Sequence, residues 1–213
     1  KETPSSKSLP HYREKVNRLL FRLVNFYHPA LLVEVGEGNG ESFRYMCAAR
    51  PSMTSVALKG LDKDDTLCQL GKELLKAKTL DFLHIGFTPY YKEAFEAAYP
   101  YLYEGSCVVV GDIYASEERK KWWKQLTEDE RVRISFDLYD IGILLFEKKR
   151  FKQNYKVNIP EDFNFGFDIV DGYAKENPSK KALVWCDDNG NEKTITYDEL
   201  SKLSSKTANF FKS

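Results

Sequence analysis

Residues 31–42 read LLVEVGEGNGES: an apolar run carries Glu34 and then meets glycines at 36, 38 and 40. Glycine suits such a turn because it permits positive φ, brings backbone N–H groups close to a ligand and lets a helix pack tightly on a strand. The spacing is that of a cradle for a nucleoside-bearing ligand, and it equally fits a bare strand-to-helix corner. A second candidate is GDIY, residues 111–114, at the end of the apolar run CVVV. There Asp112 could act as a general base if burial lifts its pKa, with Tyr114 beside it. The alternative is a turn acid ahead of a helix capped by Ser116. His84, alone in DFLHIG, reads as structural rather than catalytic.

These residues need elements to hold them. Apolar positions at Val16, Leu19, Leu20, Leu23, Val24 and Tyr27 have helical spacing over residues 11–27. Short apolar runs at 30–35, 55–60, 81–86 and 106–112 predict strands, separated by helices over 41–50, 64–78, 90–103 and 117–127. Residues 132–148 predict two strands joined by a tight turn near 139–142, which can only join antiparallel neighbours. Alternating strands and helices imply a mostly parallel sheet with helices on both faces, an α/β class, and ligands bind such sheets beyond the strand C-ends. From about residue 151 the texture changes. An extended linker, a short helix at 167–175, a hairpin around Asn189–Gly190 and a last helix from Tyr197 form a small α+β tail. The boundary predicted is 1–150 and 151–213.

Composition narrows the classes. Lys+Arg and Asp+Glu both total 32 in 213 residues, so nothing marks a nucleic-acid binder. The basic run Arg119–Lys121 reads as a solvated helix face. No apolar run approaches the ~20 residues of a membrane span, the first ten residues are polar, and a cytoplasmic location is expected. The four cysteines lack CxxC spacing, so no metal site is expected, and Cys107 and Cys186 read as buried small hydrophobes.

VEVGEGNGES resembles the first motif of class I S-adenosylmethionine-dependent methyltransferases. The helix ending in FYHPALLVEVG, the DFLHIG strand, CVVVGDIYASEERKKWW and the SFDLYDIGILLFEKK hairpin extend the likeness over about residues 10–155. The resemblance implies a Rossmann-like fold, with S-adenosylmethionine as cofactor and a small molecule as methyl acceptor. It places Glu34, Gly36, Gly38 and Gly40 at the cofactor. Three features depart from the family. Lys59 stands where an acid accepts hydrogen bonds from the ribose, which a cation cannot do; it would suit a phosphate, and Asp62 is a weak substitute. The strand unit between SVALKG and DFLHIG is missing. Gly86 replaces an acid after DFLHI.

The tail, YKVNIPEDFNF through to the end, resembles the opening of AMP-forming acyl-CoA synthetases, without their phosphate loop or catalytic lysine. Tyr173, Trp185, Tyr197 and Phe210 are therefore expected in a core or an interface. Three functions follow. One is a small-molecule methyltransferase with a degenerate site; the second is a non-catalytic interaction domain, with an acyl-CoA synthetase or a second copy as partner; the third is a domain for a different nucleotide, whose phosphate Lys59 would contact.

Overall fold

The structure is a computed structural model and describes residues 9–156 and 163–212. The chain forms two compact units, residues 1–157 and 158–213. In the first unit α1 (Glu14–Tyr27) precedes β1 (Leu31–Val35), α2 (Glu41–Ala49), β2 (Thr54–Leu58), α3 (Lys63–Ala77) and β3 (Phe82–Ile85). There follow α4 (Tyr91–Ala98) with a 3-10 turn at Tyr99–Tyr101, β4 (Cys107–Gly111), α5 (Glu117–Glu128), β5 (Ile134–Asp137), β6 (Ile141–Leu145) and β7 (Gln153–Lys156).

The seven strands form one sheet in the order β2-β1-β3-β4-β6-β5-β7. β6 runs against both its neighbours, β4 and β5, and all other pairs are parallel. Alternation along the strands sorts the core. Val33, Val35, Leu83, Ile85, Val108 and Val110 face a layer with residues from α3, α4 and α5. Leu32, Phe82, Cys107, Val109 and Ile143 face the α1–α2 side. Glu34 and His84 are register partners on that second side. Asp62 caps α3 through the Asp65 amide at 2.9 Å, and Ser116 caps α5 through the Arg119 amide at 3.1 Å. Asp62 is thus committed to a cap.

Three readings of the sequence need correction. Residues 153–156, expected in a linker, pair with β5 as an added edge strand; the segment 157–162 lies outside the described residues. Arg119 is not on a solvated face but is 6% exposed, because it shares the inward stripe of α5 with Trp122, Trp123 and Leu126. Both tryptophans of the Trp122–Trp123 pair are buried on the same stripe. Cys107 is buried as expected, whereas Cys186 is exposed. Among the described residues β2 forms the edge of the sheet, and α3 leads directly to β3.

The second unit begins with a π-helix at Phe165–Asp171, continuing into α6 (Gly172–Glu176). β8 (Lys181–Cys186) and β9 (Glu192–Thr196) form the antiparallel hairpin expected from Asn189–Gly190, and α7 spans Tyr197–Lys212. The rings of Tyr173 and Tyr197 pack with centroids 4.9 Å apart, tilted by 40°, with the Lys180 ammonium 3.8 Å above the Tyr173 ring. Trp185 is half-exposed and Phe210 largely exposed. Among the described residues no helix is long and apolar enough to cross a membrane.

Candidate functional site

β1 ends at Val35, and the glycine corner carries the chain into α2. Gly40 has φ +83°, a conformation that favours glycine, and forms the N-cap of α2. Gly36 is needed for close approach: a Cβ there would lie 2.9 Å from the Phe87 amide nitrogen. Beside Gly38 lies the Phe87 ring, 3.3 Å from where a Cβ would be, and the Pro10 carbonyl oxygen at 3.5 Å.

Three of the corner's amides have partners inside the protein. Gly36 N–H donates to Leu58 O at 3.1 Å, Glu37 N–H to Phe87 O at 2.9 Å and Asn39 N–H to Pro10 O at 3.1 Å. The Glu41 amide donates to the Asn39 side chain at 2.9 Å. The Glu37 carboxylate is occupied in turn by the Gly60 amide, at 2.9 and 3.1 Å. Lys59 is exposed, with its Nζ 3.6 Å from a notional Cβ on Gly40.

Glu34 is buried and does not point into open space. Its Oε2 accepts from Ser42 Oγ at 3.0 Å and lies 2.7 Å from His84 Nδ1. His84 Nε2 is 3.3 Å from the hydroxyl of Tyr12. Tyr12 is 6% exposed and packs on Phe87 with ring centroids 4.5 Å apart. Its hydroxyl fills the space that Gly111 leaves: a Cβ at Gly111 would fall 1.7 Å from it, and one at Gly86 3.6 Å. Burial, reinforced by Asp112 and Glu34, pushes the Tyr12 hydroxyl well above its ordinary pKa. The chain Ser42–Glu34–His84–Tyr12 is laid out like a proton relay, yet it ends on a neutral, enclosed phenol.

Asp112 and Tyr114, the two residues expected at the chemistry, have different partners. Asp112 sits at φ +49°, its amide donating to Asp140 O at 2.8 Å. Burial raises its carboxyl pKa, with Asp140 adding to the shift and Arg119 and His84 opposing it. Tyr114 instead donates to Asp137 Oδ2 at 2.5 Å and stacks on Tyr139 with centroids 5.3 Å apart. Sequence reasoning missed Tyr12, and it missed Arg119 as a site residue. Arg119 donates to Gly86 O at 2.8 Å and Thr88 O at 3.2 Å, its guanidinium 4.5 Å above the Tyr91 ring, and its Nε is buried without a partner among the described residues.

The chain has a methyltransferase-like fold. It superposes on a protein of Staphylococcus aureus proposed to be a caffeoyl-CoA O-methyltransferase, with TM-score 0.52 and 12% identity, over 65% of this chain and 86% of that one. The cofactor-bound Rv0187 protein from MTB gives TM-score 0.50 at 15% identity over 66% and 84%. An O-methyltransferase from Bacillus cereus in complex with SAH gives 0.48 at 15% identity over 64% and 84%. No protein-family model matches the chain. A separate stretch of 63 residues, 27% of the chain, is 41% identical to the mitochondrial acyl-coenzyme A synthetase ACSM3 of Homo sapiens. The chain spans 11% of that enzyme's length.

Proposed function

We propose that the first unit is a methyltransferase-like domain that has lost its cofactor site and works as a non-catalytic interaction module. The observation that carries this reading is Tyr12, whose ring lies on Phe87 and whose hydroxyl occupies the gap between Gly86, Gly111 and His84. The residues present do not fit S-adenosylmethionine in the placement that the family resemblance implies. The Phe87 ring lies beside Gly38, the Gly36, Glu37 and Asn39 amides are used internally, Glu34 is paired with His84, and Lys59 offers no acceptor to a ribose. Methyl transfer asks mainly for positioning of an already activated sulfonium, so a domain that cannot seat the cofactor has no other route to the reaction.

A thermal-shift titration with SAH tests the reading. A ligand at 1,000 times its Kd stabilises a protein by about 4 kcal/mol, so millimolar SAH on a micromolar site would raise the melting temperature by several degrees. No shift is expected. A saturable upward shift in the unaltered chain overturns the reading. A shift seen only in Tyr12→Ala supports it, because it identifies Tyr12 as what closes the site.

The second unit supports a partner. Its likeness to ACSM3, together with the exposed Leu183, Trp185 and Leu203, suits a segment completed by the rest of an acyl-CoA-synthetase domain. An ACSM-type synthetase lacking the matched 63 residues should form a one-to-one complex with the chain in size-exclusion chromatography. Separate elution at tens of micromolar contradicts this part of the proposal.

A further inference from the structure

The added strand β7 creates a cavity that the glycine corner does not share. It has a volume of about 290 Å³ and lies between α5 and the β5–β7 edge of the sheet. That is close to the lower bound for small-molecule sites. One wall is a single face of α5, where Lys120, Trp123, Lys124 and Thr127 recur at helical spacing. The opposite wall is built from register partners on parallel strands: Ser135 beside Asn154, and Asp137 beside Lys156. Tyr114 closes the end.

Hydrogen bonds fix these walls. Ser135, 1% exposed, donates to Asn154 Oδ1 at 2.8 Å, and Tyr114 donates to Asp137. Trp123 is held by its fit against Gly142, where a Cβ would come within 2.2 Å of the indole. The charge around the cavity is one-sided. Among the described residues Lys120 and Lys124 have long, exposed pairs, 3.5 Å to Glu117 and 3.9 Å to Glu128, and such pairs contribute little. Lys156 lies 5.6 Å from the centre of the Tyr114 ring. The one carboxylate, Asp137, already accepts from Tyr114 Oη and the Tyr139 amide.

We infer that this cavity is a binding site for a small organic carboxylate with a flat apolar body. The body would lie against Trp123, Tyr114 and the aliphatic stems of the lysines, and the carboxylate would meet the ammonium groups of Lys124 and Lys156. Three lysines facing one engaged carboxylate favour an anion over a neutral or cationic ligand. The aromatic wall and the modest volume favour a single ring over an extended chain. The inference goes beyond the interaction-module reading and does not depend on it, since no residue of the glycine corner lines the cavity.

The test is titration of the full chain with benzoate, benzamide and inorganic phosphate, followed by tryptophan fluorescence and calorimetry. Benzoate should saturate with a Kd of about a millimolar or tighter, and neutral benzamide should bind at least about tenfold more weakly. Lys156→Gln and Lys124→Gln should each weaken benzoate about three- to tenfold, with circular dichroism unchanged, and added salt should weaken it further. Any of four results overturns the inference: no saturation by about 10 mM benzoate, equal binding of benzamide, binding unaffected by the double Lys→Gln change, or phosphate binding as tightly as benzoate. Binding of SAH at the corner would overturn the proposed function and leave this result untouched.

Discussion

Gly111→Ala gives the sharpest test of where Tyr12 sits. Gly111 ends β4 and its φ is not among the positive values, so alanine brings no backbone strain. In a strand, replacing Gly by Ala ordinarily stabilises by about 0.4–1 kcal/mol through the unfolded chain. Here the three atoms nearest the new methyl all belong to Tyr12, at 1.7, 2.8 and 3.2 Å. A phenol ring packed on Phe87 cannot yield that distance by rotating, so the substitution must expel it or shift the strand. The cost expected for such overpacking is about 2–3 kcal/mol. Tyr12→Ala alone should cost about 3–4 kcal/mol, mostly lost aromatic burial, with a smaller part from the weakened link to His84. In the Tyr12→Ala background Gly111→Ala should be neutral or stabilising, which gives a coupling energy of about 2 kcal/mol or more. Urea denaturation followed by the fluorescence of Trp122 and Trp123 measures all four corners of the cycle. Additivity within about 0.5 kcal/mol would mean that Tyr12 does not fill the space beside Gly111, and the account of Tyr12 as the group between Gly86, Gly111 and His84 would fail.

Other consequences are simpler to check. Gly142→Ala should destabilise by about 1–3 kcal/mol in chemical denaturation, since its methyl would fall within 2.2 Å of the Trp123 ring. Asp112 has a raised carboxyl pKa, so its charged form is disfavoured in the fold, and whatever stability it contributes is greatest at acid pH and declines as pH rises through the folded value. Asp112→Asn should therefore raise the urea midpoint at neutral pH, with the gain vanishing below about pH 4; a midpoint lowered at pH 7 would contradict this. The hydrogen bond from Tyr103 to Asp81, 2.6 Å long, pushes the Tyr103 pKa to about 12. Because that pKa is raised, the stabilisation is complete below the unfolded value of about 10 and is lost as pH rises to about 12. In spectrophotometric titration, Asp81→Asn should bring one tyrosine back toward the ordinary range.

Much of the fold could be read from periodicity, because the inner strands are apolar runs buried on both faces and the helices carry apolar stripes. The hairpins at 139–142 and 187–191 were visible in their turn residues, and Tyr139 (φ +70°) and Gly190 (φ +81°) take the left-handed conformations such turns use. β7 was invisible because QNYK is polar and exposed, and its strand character comes entirely from pairing with β5. Arg119 was misread through its basic neighbours, although positions 119, 122, 123 and 126 already place it on the buried face of α5. Tyr12 left no usable signal. It lies just before α1, and its partners Gly86, Gly111 and His84 are about 70 to 100 residues away, so only the folded sheet brings them together. The glycine corner itself was plain in the sequence, but what fills it depends on those long-range contacts.

The central claim is that the corner at residues 36–40 is closed by the protein's own groups. Amide hydrogen exchange at Glu37 and Asn39, with and without SAH, measures this directly. Both N–H groups donate to backbone carbonyls, of Phe87 and Pro10, so both should be protected in the free chain and unchanged by millimolar SAH. Fast exchange in the free chain that slows when SAH is added would contradict the account.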